Sequence, residues 1–462
     1  MSETLIDRTS HISIVENPDI KSFLSSCNYM KVPVGNEIEE IASLFISRQK
    51  AEYQLPNRII SIDGSNYEAS IRKELPFTRV GFVKISSMLI KRNEFKNLAK
   101  SGFVDPFEVA KLSNNNSAIS FCLPGANLIY KNASSVRDGF RQTLDEQLYT
   151  QRFVPNDPST SIRTTLFRMA SIRKDDSNSS KMILHKCPTC GEPNLELLDI
   201  PETQRCPICK SILYPSDCLR IWEDITDSGS IQSALTRFTN AISHLLIVHY
   251  VRYLKESCPD SYLNNLSGLC FIIDGPLAIF GNPAWLHSSI MKYLFNINQE
   301  LIRSKRTPIM VMGVMKNGPL CDYFRLINHG IPNNSIYAVS DEFREKYVNC
   351  DKVPSSSTFG SETYYGQDFL IKTGNGRLFA FDVLLPFERK SLEEGFKQEK
   401  SNILNYHNIG VYSDLIEEFE CDLYSNTLVP IALAQKYTSI SLEPGGRVLD
   451  LLSKQTIESK QV

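Results

Sequence analysis

Two acidic residues follow apolar, strand-like stretches and stand directly before a glycine. Asp63 occurs in RIISIDGS and Asp274 in LCFIIDGP. Hydrolysis of a phosphodiester needs carboxylates close enough to hold one or two divalent cations, which activate water and stabilise the leaving oxygen. Asp-Gly is also a common turn dipeptide. Each acid on its own therefore has two interpretations, a turn residue or a metal ligand.

The glycines fit the second interpretation. Gly64 and Gly275 would let the backbone turn sharply and would leave space for a phosphate above each strand end. Together with Ser65, which follows Gly64, they are the candidate phosphate-binding positions.

Four cysteines form a second chemical pattern. Cys187-Pro-Thr-Cys190 is followed, after fifteen residues, by Cys206-Pro-Ile-Cys209. This spacing is typical of a four-thiolate zinc site, and the alternative is four unrelated buried cysteines. Four thiolates leave no open coordination position, so the predicted zinc ion is structural rather than catalytic.

The elements around Asp274 predict where its side chain lies. LCFIID reads as a strand, residues 284–304 as a helix and TPIMVMGVM as a second buried strand. A strand, helix, strand unit is a parallel crossover, which brings Asp274 and Lys316 to the same carboxyl edge of the sheet. Lys316 then either binds a phosphate or is an ordinary edge lysine. Asp382, in FAFDVLLPF, faces either this site or another sheet surface.

The remaining pattern indicates an α/β protein. Residues 1–57 read as mainly helical, Arg58–Ile90 as two antiparallel strands, Ser230–Ser257 as one long helix, and Gly374-Asn375-Gly376 as a hairpin turn. The 462 residues include 50 basic and 52 acidic ones, so no global field indicates a nucleic-acid partner. We see no signal peptide, membrane span or P-loop pattern, and expect a soluble cytoplasmic protein.

Taken in order, the motifs resemble those of the NurA nuclease family. They are IDGS, the cysteine ribbon running into YPSDCLRIWED, the long helix, IIDGPL, GVMKNG, the late hairpin and LVPIALAQKYTSIS. The resemblance covers roughly residues 50–452. It implies an RNase H-like core, manganese-dependent cleavage of DNA ends and single strands, a toroidal homodimer and a hexameric HerA-type translocase as partner.

The resemblance also implies roles for particular residues. Asp63 and Asp274 match the first and last carboxylates of the family's metal site. Its middle carboxylate lies on the helix before the second strand, where the acids available here are Glu223 and Glu256. Near the C-terminus the family often has Ala-His, whereas this chain has Ala434-Gln435.

We therefore predict an RNase H-like mixed sheet flanked by helices, with an inserted zinc ribbon and helical N- and C-terminal parts. The expected divisions are 1–57 (helical), 58–183 (first part of the core), 184–218 (zinc ribbon) and 219–462 (second part of the core with C-terminal helices). The leading hypothesis is a DNA nuclease in DNA end processing or phage defence that uses manganese or magnesium at Asp63 and Asp274. Glu223 or Glu256 would complete the metal ligands, and Lys316 would hold the scissile phosphate. The alternative is a nuclease-derived, catalytically weak DNA-binding or adaptor subunit of the translocase complex.

Overall fold

The computed structural model describes residues 14, 16–28, 30–51, 54–72, 74–98, 116–172, 181–200, 202–349, 357–391, 395–421 and 427–440. Within these ranges the chain forms a large mixed sheet that is covered by helices on both faces. The predicted α/β fold with a four-cysteine insertion is confirmed.

The large sheet has nine strands in the described part of the chain, in the order β1-β11-β12-β13-β10-β9-β2-β3-β4. Two short two-stranded sheets, β5-β6 and β7-β8, belong to the four-cysteine insertion. The strands are β1 (Ile46–Ser47), β2 (Arg58–Arg72), β3 (Leu75–Lys91), β4 (Asn116–Pro124), β5 (Lys181–Lys186), β6 (Pro193–Leu198), β7 (Gln204–Arg205), β8 (Ile212–Leu213), β9 (Leu269–Asp274), β10 (Met310–Met315), β11 (Ser335–Ala338), β12 (Gly366–Lys372) and β13 (Leu378–Leu384).

The centre of the sheet combines antiparallel and parallel strand pairings. Strands β2, β3 and β4 are antiparallel neighbours, β9 lies parallel to β2, and β10 lies parallel to β9. Strands β13, β12, β11 and β1 extend the sheet beyond β10 with antiparallel pairings. The parallel pairing of β9 with β10 confirms the crossover predicted from the sequence.

Helices cover both faces of this sheet. They are α1 (Pro18–Ser26), α2 (Asn36–Ser43), α3 (Arg92–Leu98), α4 (Val136–Thr150), α5 (Ile162–Ile172), α6 (Gln232–Ser257), α7 (Tyr262–Leu266), α8 (Leu286–Arg303), α9 (Pro319–Ile327), α10 (Asp341–Phe343, continued by a π-helical turn), α11 (Phe396–Ser401), α12 (Ile409–Phe419) and α13 (Val429–Thr438). No helix in the described ranges combines the length and apolar character that crossing a membrane requires.

Alternation along the strands assigns the two faces. Ile60 and Ile62 of β2 belong to the core that contains α4, α5, α6 and α8. Ile59 of β2 and Cys270 of β9 belong to the core that contains α12 and α13. Because successive side chains of a strand point to opposite faces, each core residue fixes the direction of its neighbours.

Several predicted elements are confirmed. The long helix is α6, the two strands after residue 57 are the antiparallel pair β2 and β3, and Gly374-Asn375-Gly376 joins β12 to β13.

Two boundaries differ from the prediction. Residues 1–57 were predicted to be mainly helical, but helix α2 ends at Ser43, because Ile46 and Ser47 pair with β11 at the edge of the sheet. Strand β2 continues past Asp63 to Arg72, because β3 pairs with it almost to its end.

Candidate functional site

Asp63 and Asp274 lie side by side on neighbouring parallel strands. The register pairs Ile62 of β2 with Ile273 of β9, and the two acids are the next residues. Ile59 and Cys270 stand four positions before the respective acids and face α12 and α13. The even spacing directs both carboxylates to that same face. The topology thus places together two residues that are far apart in sequence.

Lys316 completes the group from the third strand. Val314 of β10 pairs with Asp274, so Lys316 lies two residues further on the same face. Its Nζ donates to Asp274 Oδ2 at 2.8 Å and to Gln435 Oε1 at 3.2 Å. The ammonium therefore offsets part of the negative charge that two adjacent carboxylates create.

Helix α13 covers the pair. The buried hydroxyl of Thr438 donates to Asp63 Oδ2, and Gln435, three residues earlier, reaches Lys316. Residues three apart share one helix face, so α13 contacts both strands at this site. Sequence reasoning missed Thr438. The available signal was the i, i+3 spacing of Gln435 and Thr438 in a helix that is otherwise buried and apolar.

The environment of Asp63 disfavours its charge. Asp63 is only 6% exposed, and burial raises its pKa to about 6. The hydrogen bond from Thr438 lowers the pKa, the charge of Asp274 raises it, and Lys316 lowers it again. A divalent cation would favour the ionised form that this burial opposes, so the site suits a cation that binds both carboxylates.

Strands β10 and β13 hold the turn that follows Asp274 in place. Gly275 has φ +98°, a conformation that favours glycine. At Gly313 of β10, a Cβ atom would lie 2.5 Å from the Gly275 carbonyl oxygen. Any larger residue at position 313 would therefore clash with the turn. The amide of Leu277 donates to Asp382 Oδ2 at 2.7 Å. The Asp382 side chain therefore faces the turn that follows Asp274 rather than another surface of the sheet.

Asp382 is fully buried, and burial raises its pKa to about 7. Its hydrogen bond to Leu277 and the charge of Arg344 lower the pKa but do not offset the burial. Its Oδ1 has no hydrogen-bond partner among the described residues. Asp382 therefore acts on Asp274 indirectly, by fixing the backbone three residues beyond it.

Helix α6 holds the same turn from its other side. Asn240 donates to the Ala278 carbonyl at 3.2 Å and accepts from the Phe280 amide at 3.3 Å. His244 Nδ1 lies 2.6 Å from the hydroxyl of Tyr365, whose amide donates to the Leu277 carbonyl at 2.9 Å. The central polar residues of α6 thus support the turn beyond Asp274.

Gly64 was expected to allow a sharp turn, but the structure shows that its lack of a side chain serves helix packing. A Cβ atom there would lie 2.6 Å from Thr239 Cγ2 and 2.8 Å from Ser243 Oγ. The strand does not turn at Gly64, so the glycine allows α6 to approach β2 closely. Ser65, two positions after Asp63, points to the same face as the carboxylate pair.

Glu223 and Glu256 lie apart from the carboxylate pair. Glu256 is near the end of α6, which packs on the opposite face from Asp63, and it pairs with Arg252. Glu223 accepts from Arg220 at 2.7 Å and pairs with Lys186 at 3.1 Å. Burial opposes the charge of Glu223, but these two partners lower its pKa.

The four cysteines converge as the spacing predicts. Their sulfur atoms all lie within 4.8 Å of one another. In the described ranges no other group of three or more His, Cys, Asp or Glu side chains brings its ligand atoms this close together. The Cys187–Cys209 and Cys190–Cys206 sulfur distances are both 3.7 Å. Zinc–sulfur bonds of about 2.3 Å give tetrahedral edges of about 3.8 Å, so the cluster fits one tetrahedral zinc ion.

Two similar turns build the cluster. The amide of Gly191 donates to the Cys187 carbonyl at 3.1 Å, and the amide of Lys210 donates to the Cys206 carbonyl at 3.1 Å. Gly191 and Lys210 both have positive φ.

Hydrogen bonds from Ser211 lower the pKa of Cys209 to about 6, which favours its thiolate. A backbone hydrogen bond from Glu192 lowers the pKa of Cys190, but desolvation and the other cysteines outweigh it and raise that pKa to about 12. A metal ion bound by all four sulfurs would favour the thiolate at both positions.

The chain is similar to solved structures of NurA. The NurA nuclease from Sulfolobus solfataricus matches with a TM-score of 0.32 and 10% sequence identity, over 99% of this chain and 98% of that one. A structure of NurA matches with a TM-score of 0.27 and 11% identity, over 98% of this chain and 96% of that one. No family model and no curated protein matches the sequence. We assign no activity from these likenesses.

Proposed function

We propose that the chain is a divalent-metal-dependent DNA nuclease. One observation carries this proposal: two carboxylates from adjacent parallel strands lie side by side at the carboxyl edge that β9 and β10 form, next to the middle of β2, and the lysine that follows β10 is bound to one of them. Open α/β sheets place their chemistry at this edge. A paired-carboxylate site with an adjacent ammonium suits the hydrolysis of a phosphodiester.

Asp63 and Asp274 would hold manganese or magnesium. When bound, such a cation activates water and stabilises the leaving oxygen. Lys316 would hold a phosphate oxygen, and Ser65 and Gly275 would be further phosphate contacts. We propose neither Glu223 nor Glu256 as a ligand in this conformation, since both make ion pairs elsewhere.

The motif resemblance extends the proposal to assembly and setting. It supports a cytoplasmic homodimer that works on DNA with a HerA-type translocase, in DNA end processing or phage defence. The four-cysteine cluster would hold a structural zinc ion, because four thiolates leave no position for substrate.

A second candidate function rests on a specific observation. Among the described residues, no third acid joins Asp63 and Asp274 in a compact ligand cluster, and Lys316 occupies one oxygen of Asp274. Such a site favours a DNA-binding or adaptor subunit that retains the fold but binds catalytic metal weakly.

DNA degradation separates the two functions. Purified wild type, Asp63→Asn and the control Asp260→Asn are incubated with manganese and end-labelled DNA, with and without the partner ATPase. Asp260 is exposed in the turn after α6, and it precedes the start of β9, whereas Asp274 is the last residue of that strand. The nuclease proposal predicts nucleotide release by wild type and the control and at least about 100-fold less by Asp63→Asn, since loss of a group that stabilises developing charge costs that order. Equal, negligible release by all three proteins in both conditions would favour the adaptor.

A further inference from the structure

A groove lies at the opposite edge of the sheet from the carboxylate pair. Its volume is about 570 Å³, and it is bordered by the end of α8, the residues leading into β10, the end of β13 and the segment before α12. Strand β10 starts beside the groove and ends beside Lys316. Six residues of strand span about 20 Å, so the groove is separate from the proposed active site.

Aliphatic side chains dominate the walls of the groove. Those that matter here are Ile302, Pro308, Ile309, Leu384, Leu385 and Pro386. Ile302 is 52% exposed despite its place on α8. A groove of this size and character suits apolar side chains of a ligand.

The charges around the groove have one sign. Lys305 and Arg306 line it, and none of the lining residues is acidic. Neither cation makes an ion pair with any residue that the structure describes. Two cations that no acid in the described ranges offsets, next to an apolar wall, are complementary to a ligand that is both acidic and aliphatic.

The backbone fixes these cations in position. Helix α8 ends in a Schellman motif, in which the Lys305 amide donates to the Ile302 carbonyl at 2.9 Å and the Arg306 amide to the Leu301 carbonyl at 2.8 Å. Lys305 has φ +55° at the position where glycine is usual.

The aliphatic wall is also held in place. The side-chain amide of Asn298 accepts from the Ile309 amide at 2.8 Å and donates to the Ile309 carbonyl at 3.2 Å. This pair of bonds ties the residues before β10 to α8. Both sides of the groove are therefore formed without a ligand, which reduces the ordering cost of binding.

We propose that this groove binds a short acidic peptide segment of a partner protein, with aliphatic side chains in the groove and carboxylates on Lys305 and Arg306. A nucleic acid fits less well, because base recognition on single strands uses exposed aromatic faces. Of the aromatic residues that line the groove, Tyr406 and Tyr412 are each only 4% exposed and Phe295 is half-buried, which leaves His407 as the one exposed aromatic side chain among the lining residues. The proposal goes beyond the nuclease function and does not depend on it.

Fluorescence polarisation with synthetic peptides tests the proposal on the full chain. The probe is a labelled peptide of three Glu-Leu-Asp repeats. Its two controls are three Gln-Leu-Asn repeats, which keep the leucines, and three Glu-Ser-Asp repeats, which keep the charge. We expect the probe to bind at least about tenfold more tightly than either control, because both the charged and the aliphatic contacts contribute.

Lys305→Gly separates binding from folding. Glycine relieves the positive-φ conformation, so this variant should melt no lower than wild type while it binds the probe at least about tenfold more weakly. Lys131→Gly is the matched control, because Lys131 also has positive φ, at +49°, and does not line the groove. It should bind the probe like wild type.

Three outcomes would overturn the proposal. They are no saturable binding of the Glu-Leu-Asp probe, equal binding of the probe by wild type and Lys305→Gly, and tighter binding of a labelled 5′-phosphorylated dinucleotide than of the probe. The last result would assign the groove to a nucleotide instead.

Discussion

The four-cysteine cluster and the carboxylate pair are both candidate metal sites, but they are built differently. The cluster draws four ligands from residues 187–209, in two local turns. The pair draws two ligands from strands that lie more than 200 residues apart, with a third strand and a C-terminal helix around them. The cluster presents four donors to one metal ion, whereas the pair presents two carboxylates and an ammonium.

A metal ion in the four-cysteine cluster would stabilise the fold, whereas a metal ion at the carboxylate pair would take part in a reaction. A closed set of four thiolates has no free position, and binding energy there stabilises the folded chain. An incomplete set leaves coordination positions for substrate and water. Removing the first metal should unfold part of the chain, while removing the second should leave the fold intact.

The largest expected effect is that of replacing Cys206 in the four-cysteine cluster, the proposed zinc site. Its side chain is fully buried in the main core. Structural zinc contributes on the order of 10 kcal/mol to small metal-dependent units, so Cys206→Ser should abolish zinc binding and lower the melting temperature markedly. Zinc content by mass spectrometry and thermal melting measure these effects. The exposed Cys27 provides the control, since Cys27→Ser should retain one zinc per chain. A zinc-free wild type would refute the structural role.

A smaller effect is expected from the hydroxyl that contacts Asp63. Thr438→Val keeps the shape of the side chain but removes its hydrogen bond to Asp63. Removing a residue that orients a metal ligand typically costs 10- to 100-fold in affinity, so manganese binding should weaken by about that factor with little change in melting temperature. Thr438→Ser, which retains the hydroxyl, should restore the affinity. Equal affinities for the Val and Ser variants would argue against this role.

Acid should weaken the carboxylate site gradually. Asp63 has its pKa raised from 3.8 to about 6 by burial, and a metal requires the ionised form. Manganese affinity should fall about tenfold per pH unit below about 6 and level off above it. The metal-free fold should show the opposite trend, with a stabilising contribution present below about pH 4 and lost as the pH rises through about 6. Calorimetric titrations from pH 5 to 7.5 measure the affinity, and a flat profile contradicts the assignment.

The smallest effects are expected at Asp382, which supports the turn beyond Asp274. Asp382→Asn retains an oxygen that can accept from the Leu277 amide, so manganese affinity should stay within about threefold of wild type. Asp382→Ala leaves that buried amide without a partner, which costs about 1–3 kcal/mol. Hydrogen exchange at the amides of Leu277 and Ala278 should accelerate in the Ala variant alone. Equal exchange rates in both variants would remove Asp382 from this role.

The sequence predicted the parts of the site that follow from local spacing or from a single topological rule. Cys187 to Cys209 required only the spacing of two turns. Asp274 and Lys316 required only the parallel crossover, which is a strong rule of chain connection. The register of β2 with β9 places Asp63 beside Asp274. The local sequence pattern does not predict this register.

Other contacts depended on long-range packing. Thr438 meets Asp63 across 375 residues, and no local pattern of the helix specifies that contact. The early end of α2 at Ser43 arises because the edge of the sheet captures Ile46 and Ser47. Glu223 and Glu256 were candidates for the third carboxylate because they lie near α6 in the sequence. Tertiary contacts decide which face of the sheet α6 covers, and the sequence pattern does not specify those contacts.

The central claim is that Asp63 and Asp274 together bind a divalent cation. Calorimetric titration of zinc-loaded protein with manganese tests it most directly, using wild type, Asp63→Asn, Asp274→Asn and the control Asp260→Asn. We predict saturable binding by wild type and the control, and affinity at least about 100-fold weaker in both site variants, since each removes one charged ligand. Binding that is absent in wild type, or unchanged in both site variants, would contradict the claim.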